Sequence, residues 1–305
     1  MRVVAIALLT ALTLGICASP AEAAEDVRAD VVLHVVRVNP THRLVLASTV
    51  EVPYGPGSLG FVPRGPERQA RGPEAFDVDP RGGWVVADSV RGKVVRVVPG
   101  SGPTSVSPVT DLPMPFTDLA VDRDGVLHVV DGKTRGLWTF ETPSATRKDL
   151  PIAGLDVRFV RHGRDLLVGA GGPPSVLRRG LLASFGRQTL VEKCNAEAGR
   201  VTLGHDGTQV QVEIGGPLAS IRLIGVSAAR DTFLLVEQFR ERGRVEVDRR
   251  VLVLGASGAL KASLEIEGNP AVSVVRELVL GPRGDLHRML PGDRGVTFSR
   301  WEVRP

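Results

Sequence analysis

Cysteine is almost absent from this 305-residue chain, which contains two. Cys17 lies in an N-terminal segment that we expect to be removed, so Cys194 would be alone and no internal disulfide is predicted. We interpret Cys194 as a small buried apolar residue, because no partner base that would make it a nucleophile is indicated. A chain of this length can bury an ample core without disulfides.

Lysine and aromatic residues are also scarce. Only five of the 38 basic residues are lysine, and aromatic residues make up 4% of the sequence. The arginines are scattered among Asp and Glu and form no basic run, although the net charge is +4. Because nucleic-acid binding is typical of a clustered basic surface, the composition argues against a nucleic-acid partner.

Hydrophobic runs long enough for a stable membrane span are missing. The apolar stretch Val3–Ile16 follows a positive residue and precedes a small-x-small site that ends at Ala23. This layout predicts that residues 1–23 are a signal peptide and that the protein is exported, to the periplasm or the medium. Lipid attachment at Cys17 is the alternative, which Ile16 disfavours because that motif requires a small residue before the cysteine.

Familiar catalytic motifs are missing as well. Neither a G-x-S-x-G nucleophile elbow nor zinc-ligand spacings occur. A formal G-x-G-x-x-G begins at Gly55, but Pro63 follows it closely and no helix can open there, as a dinucleotide site requires. We therefore interpret the Gly/Pro-rich stretch 53–73 as a surface loop. His128 and His287 occupy equivalent repeat positions, which favours structural over catalytic roles.

The sequence contains instead a repeated strand signal. Pro73–Pro99 consists of three short β-branched runs separated by Gly, Pro and Asp, a pattern typical of hairpins. The unit recurs over Asp118–Glu141 and again from Glu277. Turn glycines about 40 residues apart mark most of the copies; they are Gly82, Gly125, Gly163, Gly207 and Gly284.

A repeat of this length made only of strands predicts an all-β fold, a β-propeller with four-stranded antiparallel blades. We expect a single domain over residues 24–305 with six blades, or five if the fourth and fifth units share strands. The last repeat shows only three strands. We expect the N-terminal strand Val31–Val38 to supply the fourth and close the ring, which removes exposed edges.

The pattern P-x-x-F/L-x-V-D-x-x-G-x-x-V-x-D, found at Ala75–Asp88 and Asp118–Asp131, resembles NHL-repeat propellers and, more distantly, gluconolactonase-like six-bladed propellers. The resemblance implies the fold, which hosts sensors, scaffolds, lactonases and lyases. Lactonase-like members hold a divalent cation in the central channel, at positions that match Glu74, Thr117, Leu155, Gly199 and Arg276. Only Glu74 suits a hard cation, so we predict no bound metal and no cofactor.

Four acidic residues and one arginine stand near the expected starts of the inner strands; they are Glu74, Asp118, Asp156, Arg200 and Glu277. In a propeller these starts converge on one mouth of the channel, so we predict that they bind a small cation or polar ligand. The alternative is that an Asp here caps the backbone of the neighbouring blade. We predict a monomeric, non-catalytic binding or scaffold module for a protein or an envelope glycan. The alternative function is a lactonase- or lyase-type hydrolase that uses the central channel.

Overall fold

The computed structural model describes residues 31–34, 40–100, 104–134, 136–141, 144–149, 158–169, 175–178, 181–184, 193–195, 199–205, 208–242, 244–268 and 272–305. All 24 regular elements in these ranges are β-strands, which confirms the all-β prediction. No helix among the described residues is long and apolar enough to cross a membrane. The predicted signal peptide, with Cys17, lies outside the described residues.

The strands follow one another along the chain in six units. Two strands precede the first repeat: β1 (Val31–His34) and β2 (Arg43–Pro53). The first unit contains β3 (Ala75–Val78), β4 (Trp84–Asp88), β5 (Lys93–Val98) and β6 (Ser105–Asp111). The second contains β7 (Phe116–Val121), β8 (Leu127–Asp131), β9 (Gly136–Glu141) and β10 (Ser144–Asp149). The third contains β11 (Arg158–His162), β12 (Asp165–Gly169), β13 (Ser175–Arg178) and β14 (Leu181–Ser184).

Three further units complete the described strands. The fourth contains β15 (Lys193–Asn195), β16 (Arg200–His205) and β17 (Thr208–Glu213), joined by β1. The fifth contains β18 (Leu218–Val226), β19 (Thr232–Arg242), β20 (Arg244–Leu254) and β21 (Leu260–Glu265). The sixth contains β22 (Leu278–Leu280), β23 (Leu286–Pro291) and β24 (Gly295–Arg304), joined by β2. Consecutive strands within a unit pair antiparallel, as predicted.

The first strands of five units form a closed ring. Contacts run from β3 to β7, from β7 to β11, from β11 to β18, from β18 to β22, and from β22 back to β3. At one step β11 and β18 pair directly in parallel, Arg161 with Gly225 and His162 with Val226. The fourth unit packs Val201 and Leu203 against one face of the fifth. The described strands thus form four four-stranded sheets and one eight-stranded sheet, in which β11 and β18 join the third and fifth units. Five of the six units contribute a strand to the ring.

The N-terminal strand that closes the last unit is β2, so the prediction that Val31–Val38 does so was wrong. Strand β2 pairs along its length with β24, from Arg43 opposite Arg304 to Pro53 opposite Gly295. Strand β1 instead pairs in parallel with β17. Both N-terminal runs are β-branched and apolar, and only β2 is long enough to cover the ten residues of β24.

Apolar clusters fill the space between neighbouring units. Between the sixth and the first, Trp84 stacks on Phe298 with ring centroids 4.5 Å apart, and Phe76 meets the same ring edge-on at 5.9 Å. Burying each such side chain contributes about 1.5–3 kcal/mol. The repeated glycines serve the turns between first and second strands: Gly82 and Gly125 have φ values of 97° and 82°, which favour glycine.

Residues 53–73 form a loop that is tied to the second strand of the first unit. Asp88 accepts a hydrogen bond from the backbone N–H of Gly60 at 2.7 Å. Arg91 donates to the carbonyl oxygens of Ser58, at 2.6 Å, and Gly55. No helix follows Gly60, as expected. The formal glycine motif is therefore part of a surface loop that an acid and an arginine hold in place.

Candidate functional site

The structure brings three of the five predicted site residues to the ring. Glu74 directly precedes β3, Asp118 lies in β7, and Glu277 directly precedes β22. We call the end of the ring at which the first strands begin the mouth face. Asp156 lies outside the described residues. Arg200, in β16, is exposed and pairs with Glu213 on the adjacent strand at 2.9 Å, so it belongs to the fourth unit rather than to the ring.

Asp118 is buried, with 1% of its surface exposed, and its carboxylate joins two units. One oxygen accepts the N–H of Leu119 at 2.9 Å, and the other accepts the N–H of Phe159 in the third unit at 2.8 Å. This geometry fits the alternative that the sequence left open, in which the aspartate caps the backbone of the neighbouring sheet. The structure thus places Asp118 inside the ring and not at its solvent-facing mouth.

Asp77 makes the equivalent connection one unit earlier, and sequence reasoning missed it. Its carboxylate accepts the N–H of Val78 at 2.9 Å and that of Val121 in the second unit at 2.8 Å. Counting back from the turn glycine cannot find this equivalence. Asp77 lies five residues before Gly82, whereas Asp118 lies seven residues before Gly125.

Two arginines fill the centre of the ring. Arg161, 2% exposed, donates to the carbonyl oxygen of Leu280 at 3.0 Å, to that of Val121 at 3.0 Å and to Asp77 at 3.2 Å. It therefore connects the third unit to the sixth, second and first. Sequence reasoning missed this residue too, because its partners are 40 to 119 positions away along the chain.

Arg276 forms the second central ion pair. Its guanidinium donates to Asp118 at 2.9 Å and to the carbonyl oxygen of Phe159 at 3.2 Å. Burial would lower the pKa of Arg276, but the carboxylates of Asp118 and Asp77 outweigh that effect and raise it, so the guanidinium stays charged. Both central arginines are thus paired with buried carboxylates.

Glu277 lies in a second charged cluster, on the mouth face between the fifth and sixth units. It accepts hydrogen bonds from Arg288 at 2.7 Å and from Arg249 at 2.8 Å. Arg249 also donates to Glu237 at 2.8 Å, and Ser220 donates to the other oxygen of Glu237 at 2.5 Å. Burial would raise the pKa of Glu237, but these two hydrogen bonds outweigh it and lower it. Glu237 is therefore charged, and both carboxylates are engaged by arginine side chains.

Comparison with known proteins finds distant structural similarity only. No family model matches the sequence, and no curated protein matches it. Similar solved structures include an inactive virginiamycin B lyase from Staphylococcus aureus with quinupristin, at 11% identity, covering 85% of this chain and 88% of that chain with a TM-score of 0.46. Another is a gluconolactonase from Xanthomonas campestris, at 14% identity, covering 87% of this chain and 99% of that chain with a TM-score of 0.42. A third is the calcium-binding protein regucalcin from Agrobacterium tumefaciens, at 17% identity, covering 76% of this chain and 90% of that chain with a TM-score of 0.41.

The chain folds as a β-propeller. Gluconolactonase-like proteins are among the solved structures to which this chain is distantly similar. Below, each unit is called a blade, and the first strands around the ring are called inner strands.

The residues at the lactonase-type ligand positions do not fit a divalent cation. Glu74 accepts a hydrogen bond from Ser89 at 2.7 Å. Thr117 contributes a single hydroxyl, and Arg276 places a guanidinium beside Asp118. Leu155 lies outside the described residues. Among the residues that the structure describes, no group of three or more His, Cys, Asp or Glu side chains is arranged to hold a metal ion.

The two repeat-equivalent histidines are buried and paired. His128 contacts Asp122 at 3.2 Å and Thr139 at 3.2 Å. His287 contacts Asp285 at 3.0 Å and accepts a hydrogen bond from the Trp84 indole at 3.2 Å. The contacts of His128 lie within the second blade, whereas the bond from Trp84 to His287 joins the first and sixth blades. Both sets of contacts fit the structural role that the repeat positions predict.

Proposed function

We propose that this β-propeller is an exported module that binds a protein or an envelope glycan on its mouth face. The observation that carries the proposal is the filled ring centre. Because Arg161 and Arg276 cross it and pair with Asp77 and Asp118, a ligand meets the mouth face rather than a deep channel. The loop 53–73 and the charged cluster around Glu277 supply a varied surface there.

A projecting hairpin adds apolar surface to the same face. Strands β19 and β20 continue past Leu218, where β18 begins, and pair with each other to their ends. The backbone N–H of Phe239 also donates to the carbonyl oxygen of Pro217 at 3.3 Å. Phe239 and Val247 lie opposite each other on this extension and are 45% and 39% exposed. Exposed aromatic and aliphatic side chains near a polar rim are typical of binding surfaces.

The experiment compares two variants of the immobilised mature protein, incubated with solubilised envelope proteins and with envelope polysaccharide. We expect Phe239→Asp combined with Val247→Asp to abolish ligand capture. The control, Arg123→Glu, lies on a turn at the opposite end of the ring and should capture as the unmodified protein does. Absence of capture by the unmodified protein, or equal capture by both variants, would contradict the proposal.

The second candidate is a lactonase- or lyase-type reaction in the channel, which is the activity that the similar solved structures carry in their names. Such a reaction would have to proceed without the metal ligands of lactonase-like propellers, since Arg276 occupies one of the ligand positions. Lactone hydrolysis and ring opening of a streptogramin B substrate, measured with and without a chelator, test it. Turnover that chelation abolishes, with one equivalent of a divalent metal by elemental analysis, would favour this candidate and refute our prediction of no bound metal.

A further inference from the structure

Two arginines stand side by side at the mouth of the ring, on adjacent inner strands. Strands β11 and β18 pair in parallel at Arg161 and Gly225. Arg158 and Arg222 each lie three residues before that pair, with an irregularity in β18 between Leu223 and Gly225, so both lie on neighbouring strands toward the mouth face. They are close enough for the charge of Arg158 to act on Arg222. Arg158 also approaches the carbonyl oxygen of Val275 in the sixth blade, at 3.5 Å.

Arg222 makes no hydrogen bond or ion pair with any residue that the structure describes, although its side chain is half-buried. The nearby carboxylates are already engaged: Glu237 is held by Ser220 and Arg249, and Glu277 by Arg249 and Arg288. Partly buried polar groups normally find partners in the protein or in ordered water. The five donors of the Arg222 guanidinium are therefore available to a ligand.

The electrostatics around Arg222 favour an anion. Burial first, and then the positive charge of Arg158, lower the pKa of Arg222, and the charges of Glu237 and Glu277 offset this only in part. Two like charges on adjacent strands repel each other, and burial strengthens the repulsion. An anion between the two guanidinium groups would relieve it. A planar guanidinium also matches the paired oxygens of carboxylate and phosphate groups.

We propose that Arg222 and Arg158 form a binding site for the carboxylate or phosphate group of a ligand, such as an acidic or phosphorylated sugar. The proposal deepens the proposed function, because it names the chemistry that the mouth face recognises. The proposed ligand is an anion, whereas the acidic residues suggested from the sequence that the ligand is a small cation or a polar molecule. Those carboxylates make their direct ion pairs with Arg249, Arg288 and Arg276. Among the described residues they leave Arg222 with only the longer-range attraction of Glu237 and Glu277.

Isothermal titration of the mature protein with glucuronate, inorganic phosphate and glucose tests the site. Binding of glucuronate or phosphate, weakened by added salt, with no binding of glucose, is expected. Binding of glucuronate alone identifies a carboxylate ligand, and binding of phosphate alone identifies a phosphate ligand. Failure of both anions to bind would refute the proposal.

Arg222→Met separates a ligand-binding role from a structural one. Loss of charge-assisted hydrogen bonds should weaken anion binding at least about tenfold. The Tm should not fall, since the variant removes a repelled cation and keeps the apolar stem. Arg240→Gln is the matched control, an exposed arginine in the same blade that pairs with Asp248, and it should bind anions normally.

Unchanged anion binding in Arg222→Met, or equal loss in Arg240→Gln, would overturn the site. A lowered Tm together with unchanged anion binding would assign Arg222 a structural role. These titrations use defined anions and no captured partner. They therefore stand or fall separately from the capture experiment on the hairpin variants.

Discussion

Asp77 and Asp118 show how a single side chain can join two blades. Each carboxylate accepts one N–H from its own strand and one from the next blade, and each also receives a buried arginine. Removing one partner of such a pair leaves an uncompensated charge inside the protein, which is far more costly than losing a surface ion pair. At this scale the aspartates are structural.

We predict that Asp118→Asn destabilises the protein by about 3 kcal/mol, because it leaves the Arg276 guanidinium buried without its counter-charge. Leu119→Ala, one residue along and fully buried, should cost about 2–5 kcal/mol by opening a cavity. Urea unfolding curves for the two variants should therefore be similarly displaced. Asp248→Asn, in an exposed ion pair, is the control and should change stability by at most about 1 kcal/mol.

A change of less than 1 kcal/mol in the unfolding free energy for Asp118→Asn would instead favour the ligand-binding role that the sequence suggested. Asp77→Asn should behave as Asp118→Asn does, because it removes the equivalent charge from Arg161. Agreement between the two aspartate variants would show that the capping role repeats from blade to blade.

Asp285 gives a pH-dependent prediction. Burial would raise the pKa of Asp285, but the hydrogen bond from His287 and the charges of His287 and Arg300 outweigh it and lower it. A carboxyl whose folded pKa is below its unfolded value, about 3.9, stabilises the protein above that value. This stabilisation is lost as pH falls through the folded pKa.

We expect Asp285→Asn to be less stable than the unmodified protein at pH 7, by about 1–2 kcal/mol. The difference should shrink below about pH 4, since the carboxyl of the unmodified protein then becomes protonated as well. Unfolding free energies measured at pH 7, 5, 4 and 3 would check this. A difference that stays constant or grows toward acid pH would contradict the prediction.

At the scale of elements, β2 shows the importance of the strand that closes the ring. Only Leu44 and Val52 of this strand are buried. Val52 lies in the cluster between the sixth and first blades, whereas Leu46 is 54% exposed. Without β2 the backbone of β24 would form an open edge, which is a site for aggregation. The stability of the last blade therefore depends on a strand more than 200 residues away along the chain.

We predict that Val52→Asp releases β2, because it would bury an unpaired carboxylate among apolar side chains. Its Tm should fall steeply, and limited proteolysis should cut within residues 43–53. Leu46→Asp places the same charge on the solvent side of the same strand and should leave both readouts nearly unchanged. Equal protease resistance of the two variants would argue against closure by β2.

At the scale of the whole molecule, the ring is held by apolar contacts between blades and by the two central arginines. Arg161 alone contacts four blades, counting its own. Buried ion pairs of this kind do not by themselves guarantee stability, because desolvation offsets the attraction. They do specify which blades meet at the centre, since each donor requires its own acceptor.

Export is the prediction that concerns the whole chain. Residues 1–23 have the layout of a signal peptide, so we expect the mature protein to begin at Ala24. N-terminal sequencing of protein recovered from the periplasm or the medium would check this. A mature N-terminus at a lipid-modified Cys17 would contradict it, as would an uncleaved chain in the cytoplasm.

By itself, the sequence determined the local features of this protein. Strand runs, turn glycines and the 40-residue spacing depend on residues that are neighbours along the chain, and they were sufficient to predict an all-β propeller. The same local reasoning predicted a loop over residues 53–73, because proline and glycine act on the backbone locally. The repeat spacing predicted a mouth-face position for Glu74 and Glu277.

Only the tertiary structure decided which distant groups meet. Both N-terminal runs have suitable composition for a closing strand, and packing against β24 selected β2. Its spacing made Asp118 a candidate ligand-binding residue. In the structure it is buried, accepts the backbone N–H of Phe159 and pairs with Arg276, which is 158 residues away along the chain. Arg222 was inconspicuous among scattered arginines until strand pairing set it beside Arg158. The physical reason is that burial and charge depend on every element that packs around a residue, whereas sequence spacing reports only on its own strand.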